Sequence, residues 1–140
     1  MPIIEIQEFK GDYADIFGLL ETLTIAPVIE KAKYDEIIAN LDMNHKIFLF
    51  IKDQMAVGIV TLLIEQKLIH GGKKVAHIED IVVDRAYRNQ GISSALVNNC
   101  IGFAHIMGCY KIILDCNKEM IGFYENFGFL ETEVQMRYYM

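Results

Sequence analysis

One segment of the 140-residue chain gathers residue types that bind phosphate. It is Ile81-Val82-Val83-Asp84-Arg85-Ala86-Tyr87-Arg88-Asn89-Gln90-Gly91-Ile92-Ser93-Ser94, in which an apolar strand runs into a short polar loop and a helix starts near Gly91. The first amides of a helix have no intrahelical acceptor and lie at the positive end of its dipole. Gly91 has no side chain to hold an anion away from them. Ser93 and Ser94 add hydroxyl donors, and Arg85 and Arg88 add charge at the rim, which completes the parts of a pyrophosphate cradle. The same residues also suit an ordinary strand-to-helix turn whose glycine only relieves strain. Just upstream, Glu79 and Asp80 are adjacent acids in an otherwise apolar strand. They are too costly to bury unpaired, so they either meet cations or line a polar cleft. Neighbours along a strand point to opposite faces, so at most one is expected to face a given site directly. Further on, Asp115 ends a short apolar strand, where it also reads as an N-cap, and Tyr124 lies between Phe123 and Phe127, where its residue-level reading is aromatic packing.

The elements that position these residues follow from periodicity and turn signals. Ile3, Ile4, Ile6 and Phe9 read as a first strand, broken by Gly11-Asp12. Asp12 is a candidate N-cap for a helix to about Leu23. Residues 24–27 read as a loop and 30–41 as a second helix. Residues 46–52, 56–67 and 75–83 read as three antiparallel strands, joined by turns at Asp53-Gln54 and His70-Gly71-Gly72-Lys73. The pattern then changes. Ile92, Leu96, Cys100, Phe103 and Met107 recur at steps of three and four and form one helical stripe across residues 90–107, which Gly108 can end. A strand at 111–115, a helix at 119–127 and a last strand at 129–139 complete the chain. In that last strand Val134, Met136 and Tyr138 alternate. The fold class is therefore α/β with a mixed sheet. Its β-α-β crossover is right-handed with its two strands parallel, and if those strands splay a ligand cleft opens at their carboxyl ends. Residues 1–140 read as one domain, without repeat or linker.

Composition narrows the classes of function. The net charge of −6 argues against general binding to nucleic acid or an anionic membrane, since both require basic surface. No apolar run approaches the length of a membrane span, and the amino terminus lacks a signal-peptide pattern. Cys100, Cys109 and Cys116 have no metal-ligand spacing and read as reduced thiols of a cytoplasmic protein, Cys100 buried, with no metal expected.

Arg88-x-x-Gly91-x-Ser93 resembles the acetyl-CoA loop of the GNAT superfamily, R/Q-x-x-G-x-G/A, with serine at the last position. Within that superfamily the chain resembles the glucosamine 6-phosphate N-acetyltransferase family. His77-Ile78-Glu79-Asp80-Ile81-Val82-Val83 is similar to its G-H-I-E-D-I-A-V strand. Gly108 to Cys116 is similar to G-C-Y-K-I-I-L-D-C, Phe123 to Phe129 to F-Y-E-K-x-G-F, and Glu65 to His70 to E-x-K-x-I-H. The resemblance covers the carboxyl-terminal half strongly; the first 60 or so residues match mainly in element order, with Leu23-Thr24 matching a Leu-Thr pair. It implies a GNAT fold with a splayed parallel strand pair flanked by helices. It also implies acetyl transfer from acetyl-CoA to the 2-amino group of glucosamine 6-phosphate, on the route to UDP-GlcNAc. Other implied readings are a GNAT enzyme for another amine or a protein amino terminus, and a non-catalytic acyl-CoA-binding module. By the same resemblance Tyr124 donates the proton to the leaving thiolate, with Asp115 and Glu79 as further catalytic groups. Ile81, Val82, Val83, Arg88, Asn89, Gln90, Gly91, Ile92, Ser93, Ser94, Asp115 and Tyr124 contact acetyl-CoA. Thr24, Lys67, His70, Glu79, Asp80, Tyr110, Lys111 and Arg137 contact the sugar phosphate. The family's phosphate-binding arginine falls at Tyr139 here, with Arg137 two residues earlier on the same strand face. A homodimer that exchanges the last strand is implied as well.

Overall fold

In the computed structural model, which describes residues 2–140, five strands form one sheet in chain order. They are β1 (Ile3–Glu5), β2 (His45–Lys52), β3 (Met55–Gln66), β4 (Lys74–Val83) and β5 (Cys109–Leu114). Strands β1 to β4 pair antiparallel, and β4 and β5 pair parallel. Asp53 and Gln54 both take positive φ, 51° and 65°, which gives the two-residue hairpin between β2 and β3 the twist of its strands. The β3–β4 connection closes through a four-residue helical turn, α3 (Ile69–Gly72), which the Gln66 side-chain amide ties by donating to the carbonyls of Lys67 and Gly72.

The alternation of apolar residues along β2 and β3 feeds two cores. On one face α1 (Ala14–Leu20) brings Ile16 and Leu19 onto Leu49, Ile59 and Val82, with Tyr34 and Ile38 of α2 (Lys31–Ala39) packed at the margin. Asp12 holds the start of α1 by accepting from the Ala14 amide at 3.0 Å. On the other face α4 (Ile92–Ile106) lays Ile92, Leu96, Cys100 and Ala104, one turn apart, over Val57, Val60, Leu62, Ala76 and Ile78. Each such Leu or Ile contributes about 1.5–3 kcal/mol by burial. Burial also pushes the Cys100 thiol up to about 12, which leaves it an inert packing group. Gly108, at φ 73°, turns the chain from α4 into β5. A 3-10 turn at Lys118–Met120 leads into α5 (Ile121–Glu125). No helix among the described residues is long and apolar enough to cross a membrane.

Two sequence expectations are corrected. β1 stops at Glu5, where a 3-10 turn over Ile6–Glu8 replaces its continuation. Residues 129–140 form no strand, because no neighbour takes up their backbone hydrogen bonds. The tail is extended, with Val134, Met136 and Tyr138 88%, 92% and 90% exposed.

Two features of β4 create the space for a site. Its pairing with β5 ends at Ile78 and Leu114, although β4 runs on to Val83. The β5-side edge of residues 79–83 therefore has no strand partner. Second, β4 bulges. Glu79 pairs with Thr61 and Val82 with Ile59, so Asp80 and Ile81 together oppose Val60, and Asp80 takes φ 50°. The extra residue shifts the alternation by one: Ala76, Ile78 and Val83 face α4, while Val82 faces α1.

Candidate active site

The diverging ends of β4 and β5 open a cleft of about 1970 Å³. That volume exceeds the roughly 300–1,000 Å³ of an ordinary small-ligand pocket, so the cleft has room for two substrates side by side. Residues 78–83 of β4 form one wall and residues 109–115 of β5 the other. The start of α4, α5 and tail residues 129–135 and 137 also line it.

At the α4 end, Gly91 is the N-cap with φ 78° and ψ 12°, and no side chain caps the helix. A Cβ built there meets nothing within 4 Å, so a side chain is opposed by the left-handed backbone and not by crowding. The first amide of this turn to donate within the helix is that of Ala95, to the Gly91 carbonyl. The amides of residues 92–94 are left for an external acceptor, with Ser93 and Ser94 lining the cleft beside them. Upstream, the Asp84 side chain caps the 3-10 turn Arg85–Tyr87 by accepting from the Ala86 amide. Arg88 Nε donates to the Val83 carbonyl at 3.2 Å, which anchors the guanidinium beside the loop. Asn89, at φ 62°, also lines the cleft; Gln90 does not, and instead accepts from Lys52 Nζ. The open amides, the glycine and the anchored arginine together fit a diphosphate.

At the other end, Tyr124 is buried in α5, its ring edge-on to Phe123 and Phe129 at 5.0 and 5.9 Å. Its hydroxyl has no hydrogen-bond partner among the described residues, yet it is not sealed off, and Tyr124 lines the cleft. Burial, with Cys116 nearby, raises its pKa above the usual phenol value, so it remains protonated throughout the neutral range. Glu79 and Asp80 line the cleft, as does every residue from Ile78 to Val83, and Asp80 occupies the bulge. Burial, reinforced by Asp80 and Asp115, raises the Glu79 pKa above the usual carboxylate range. Asp115 lies just past the end of β5, and its Oδ2 accepts from Gln135 Nε2 at 2.6 Å.

Among the remaining sequence-nominated residues, Ile81, Val82, Val83, Ile92, Thr24, Tyr110, Lys111 and Arg137 line the cleft. Lys67 and His70 lie outside its lining. Lys67 pairs with Glu65 at 3.1 Å, whose other oxygen is 2.9 Å from His77 Nε2. Hydrogen bonds from His77 and Lys67 hold the Glu65 carboxyl below its ordinary value. His70 stacks on Tyr110 with ring centroids 4.3 Å apart, so it touches a lining residue without reaching the cleft itself. Among the described residues no group of three His, Cys, Asp or Glu is placed to hold a metal ion.

The profile of the Acetyltransferase (GNAT) family matches residues 12–129. The chain belongs to the GNAT acetyltransferase family. Among curated GNAT relatives it is 36% identical to glucosamine 6-phosphate N-acetyltransferase of Trypanosoma brucei brucei, over 91% of this chain and 89% of that one. It is 35% identical to glucosamine 6-phosphate N-acetyltransferase 1 of Oryza sativa subsp. japonica, over 87% and 77%. Among solved structures, an acetyltransferase of Trypanosoma brucei superposes with a TM-score of 0.88 at 32% identity, covering 99% of this chain and 98% of that chain. Glucosamine-6-phosphate N-acetyltransferase of Arabidopsis thaliana superposes with a TM-score of 0.89 at 27% identity, covering 98% and 96%.

Two features of this GNAT site were missed from sequence. The bulge at Asp80 falls on the acid pair that stands out in the strand, but the pair reads as charge for a site and not as a break in the pleat. Gln135 reaches Asp115 from twenty positions away; the only sequence trace is the spacing of Gln135 and Arg137 by two on the polar side of the tail.

Proposed function

We propose that the chain transfers the acetyl group of acetyl-CoA to the 2-amino group of D-glucosamine 6-phosphate, giving N-acetylglucosamine 6-phosphate. The observation that carries this reading is the single cleft between β4 and β5. It joins an uncapped helix start suited to a diphosphate to a protonated phenol and three carboxylates suited to an amine. The names of the GNAT relatives support the choice of acceptor.

Acetyl-CoA supplies an activated acyl group as a thioester. On this reading the amides of residues 92–94, with Ser93, Ser94 and Arg88, hold its diphosphate. The free edge of β4 around Ile81, Val82 and Val83 orients its extended arm and donates to the carbonyl oxygen as negative charge develops there. Glu79, with Asp80 and Asp115, holds the acceptor's ammonium. The raised pKa of Glu79 suits it to take the amine proton, directly or through water, so that a neutral amine attacks. Tyr124 faces the leaving sulfur and donates to it, and the proton shed by the amine balances the one gained by the thiol. Thr24, Tyr110, Lys111 and Arg137 contact the sugar phosphate, with His70 acting through the ring of Tyr110. The tail's exposed Val134, Met136 and Tyr138 are the surface on which a second copy packs, making the working form a homodimer.

The acids in the cleft favour a second acceptor class, a polyamine, since Glu79, Asp80, Asp115, Glu131 and Glu133 all line it. Thiol release from acetyl-CoA separates the readings. Glucosamine 6-phosphate is expected to be used at least about tenfold more efficiently than glucosamine, as one charge-assisted contact to phosphate implies. A preference for the polyamine would replace the acceptor. No thiol release with any of the three would leave a binding module.

A further inference from the structure

The loop between β4 and α4 is anchored unevenly. At its start the Asp84 amide donates to the Val57 carbonyl of β3 at 2.8 Å, and the Tyr87 amide donates to the Asp84 carbonyl at 2.9 Å. Arg88 Nε adds its bond to the Val83 carbonyl. Past that point, among the described residues, no amide from Arg88 to Ser94 donates to a backbone carbonyl. Asn89 and Gly91 take positive φ on either side of Gln90, a backbone that a non-glycine residue such as Asn89 adopts only at a cost. The stretch that presents the open amides therefore lacks main-chain bonds of its own and needs a hold from outside. One side chain supplies it. Lys52 Nζ donates to Gln90 Oε1 at 2.5 Å and lies 5.8 Å from the centroid of the Tyr87 ring. Lys52 has a fixed base, because it closes the β2–β3 hairpin, paired with Met55 around Asp53 and Gln54. Gln90 is exposed and outside the cleft lining, so its side chain is open to be held from the hairpin side.

We propose that Lys52 is a positioning residue for acetyl-CoA. By holding Gln90 it keeps the two left-handed residues, and with them the amides of residues 92–94, in the shape that receives the diphosphate. The inference rests on the acetyl-transfer reading above. It gives Gln90 a part in cofactor binding without contact with the cofactor, and it ties affinity for acetyl-CoA to the β2–β3 hairpin, which does not line the cleft. A lysine ammonium also attracts phosphate over a distance, so the test separates that direct pull from the hold on Gln90.

The test uses the full chain as wild type, Lys52→Met, Lys52→Arg, Gln90→Ala and the double variant Lys52→Met with Gln90→Ala. Calorimetric titration gives the affinity for coenzyme A, and steady-state rates give kcat and the KM values for acetyl-CoA and glucosamine 6-phosphate. Lys52→Met keeps the aliphatic stem and removes the donor. Its affinity for coenzyme A is expected to fall about three- to fivefold, the scale of one exposed charged contact, with the acetyl-CoA KM rising to match. The kcat, the glucosamine 6-phosphate KM and the melting temperature are expected to stay at wild-type values. Lys52→Arg is expected to restore affinity, since a guanidinium can donate to the same side-chain carbonyl. Gln90→Ala is expected to lose as much as Lys52→Met, and the double variant no more than either, because all three lack the same contact. Wild-type affinity in Lys52→Met would show that the contact has no consequence for the cofactor. Losses that add in the double variant would show that Lys52 acts directly on a phosphate. Either result overturns the inference and leaves the acetyl-transfer reading standing. No binding of coenzyme A by the wild type overturns that reading, and this one with it.

Discussion

Tyr124 combines a packed ring with an unpartnered hydroxyl. Its ring is buried edge-on to Phe123 and Phe129, as an aromatic cluster dictates, while its hydroxyl is left without a partner beside the cleft. Removing that hydroxyl strands no donor or acceptor, so Tyr124→Phe is expected to fold with wild-type stability. Turnover is expected to fall about 10²–10⁴-fold, the usual contribution of a placed general acid, with little change in acetyl-CoA affinity. Stopped-flow thiol release and a binding titration measure the two quantities; equal loss of both would assign Tyr124 to packing alone. At this scale the sequence was most informative where residue type alone marks a site residue, as at Gly91, Arg88 and the acid pair, all of which line the one cleft. It was least informative where distant segments meet. Lys67 is nominated for the acceptor, yet it pairs with Glu65, which lies two residues away on the same strand face. Gln135 was passed over because its partner, Asp115, lies in another segment.

The elements place these groups through two interruptions of regular structure, the divergence of β4 from β5 and the bulge at Asp80. Strand and helix periodicity foretold the three antiparallel strands, the crossover through α4 and the stripe Ile92, Leu96, Cys100, Phe103 and Met107, of which the first three are buried and the last two pack partly buried against the same core. The bulge was beyond reach because it depends on which residues of β3 pair with β4, a matter of register that alternation in one strand does not fix. Helix α4 must sit close on β3 for its start to reach the cleft, and Gly58 permits that approach. A Cβ at Gly58 would lie 3.0 Å from Ile92 Cγ2, 3.1 Å from Leu96 Cδ1 and 3.3 Å from Phe50 Cβ, so those neighbours must shift. Gly58→Ala is expected to lower stability by about 1–3 kcal/mol, the range for overpacking a close-packed core. Urea denaturation measures it, and an unchanged midpoint would mean that α4 has slack against the sheet.

For the whole molecule the tail is the unresolved demand. Residues 129–140 expose an apolar face, and their backbone lacks a strand partner within the chain. On the proposed reading a second copy supplies both the cover and the strand partner. Full-length protein is expected to sediment as a dimer and a chain ending at Phe129 as a monomer; a full-length monomer would mean that the tail has another role. The account as a whole stands on the start of α4 as the seat of a diphosphate. Calorimetric titration with coenzyme A tests this most directly, in wild type and in Gly91→Val. The β-branched side chain must adopt a left-handed conformation that costs roughly 1–2 kcal/mol or distort the cradle. Saturable binding in wild type, weakened about tenfold or more in the variant, is the expected result. No heat with wild type, or equal affinity in both proteins, would contradict it.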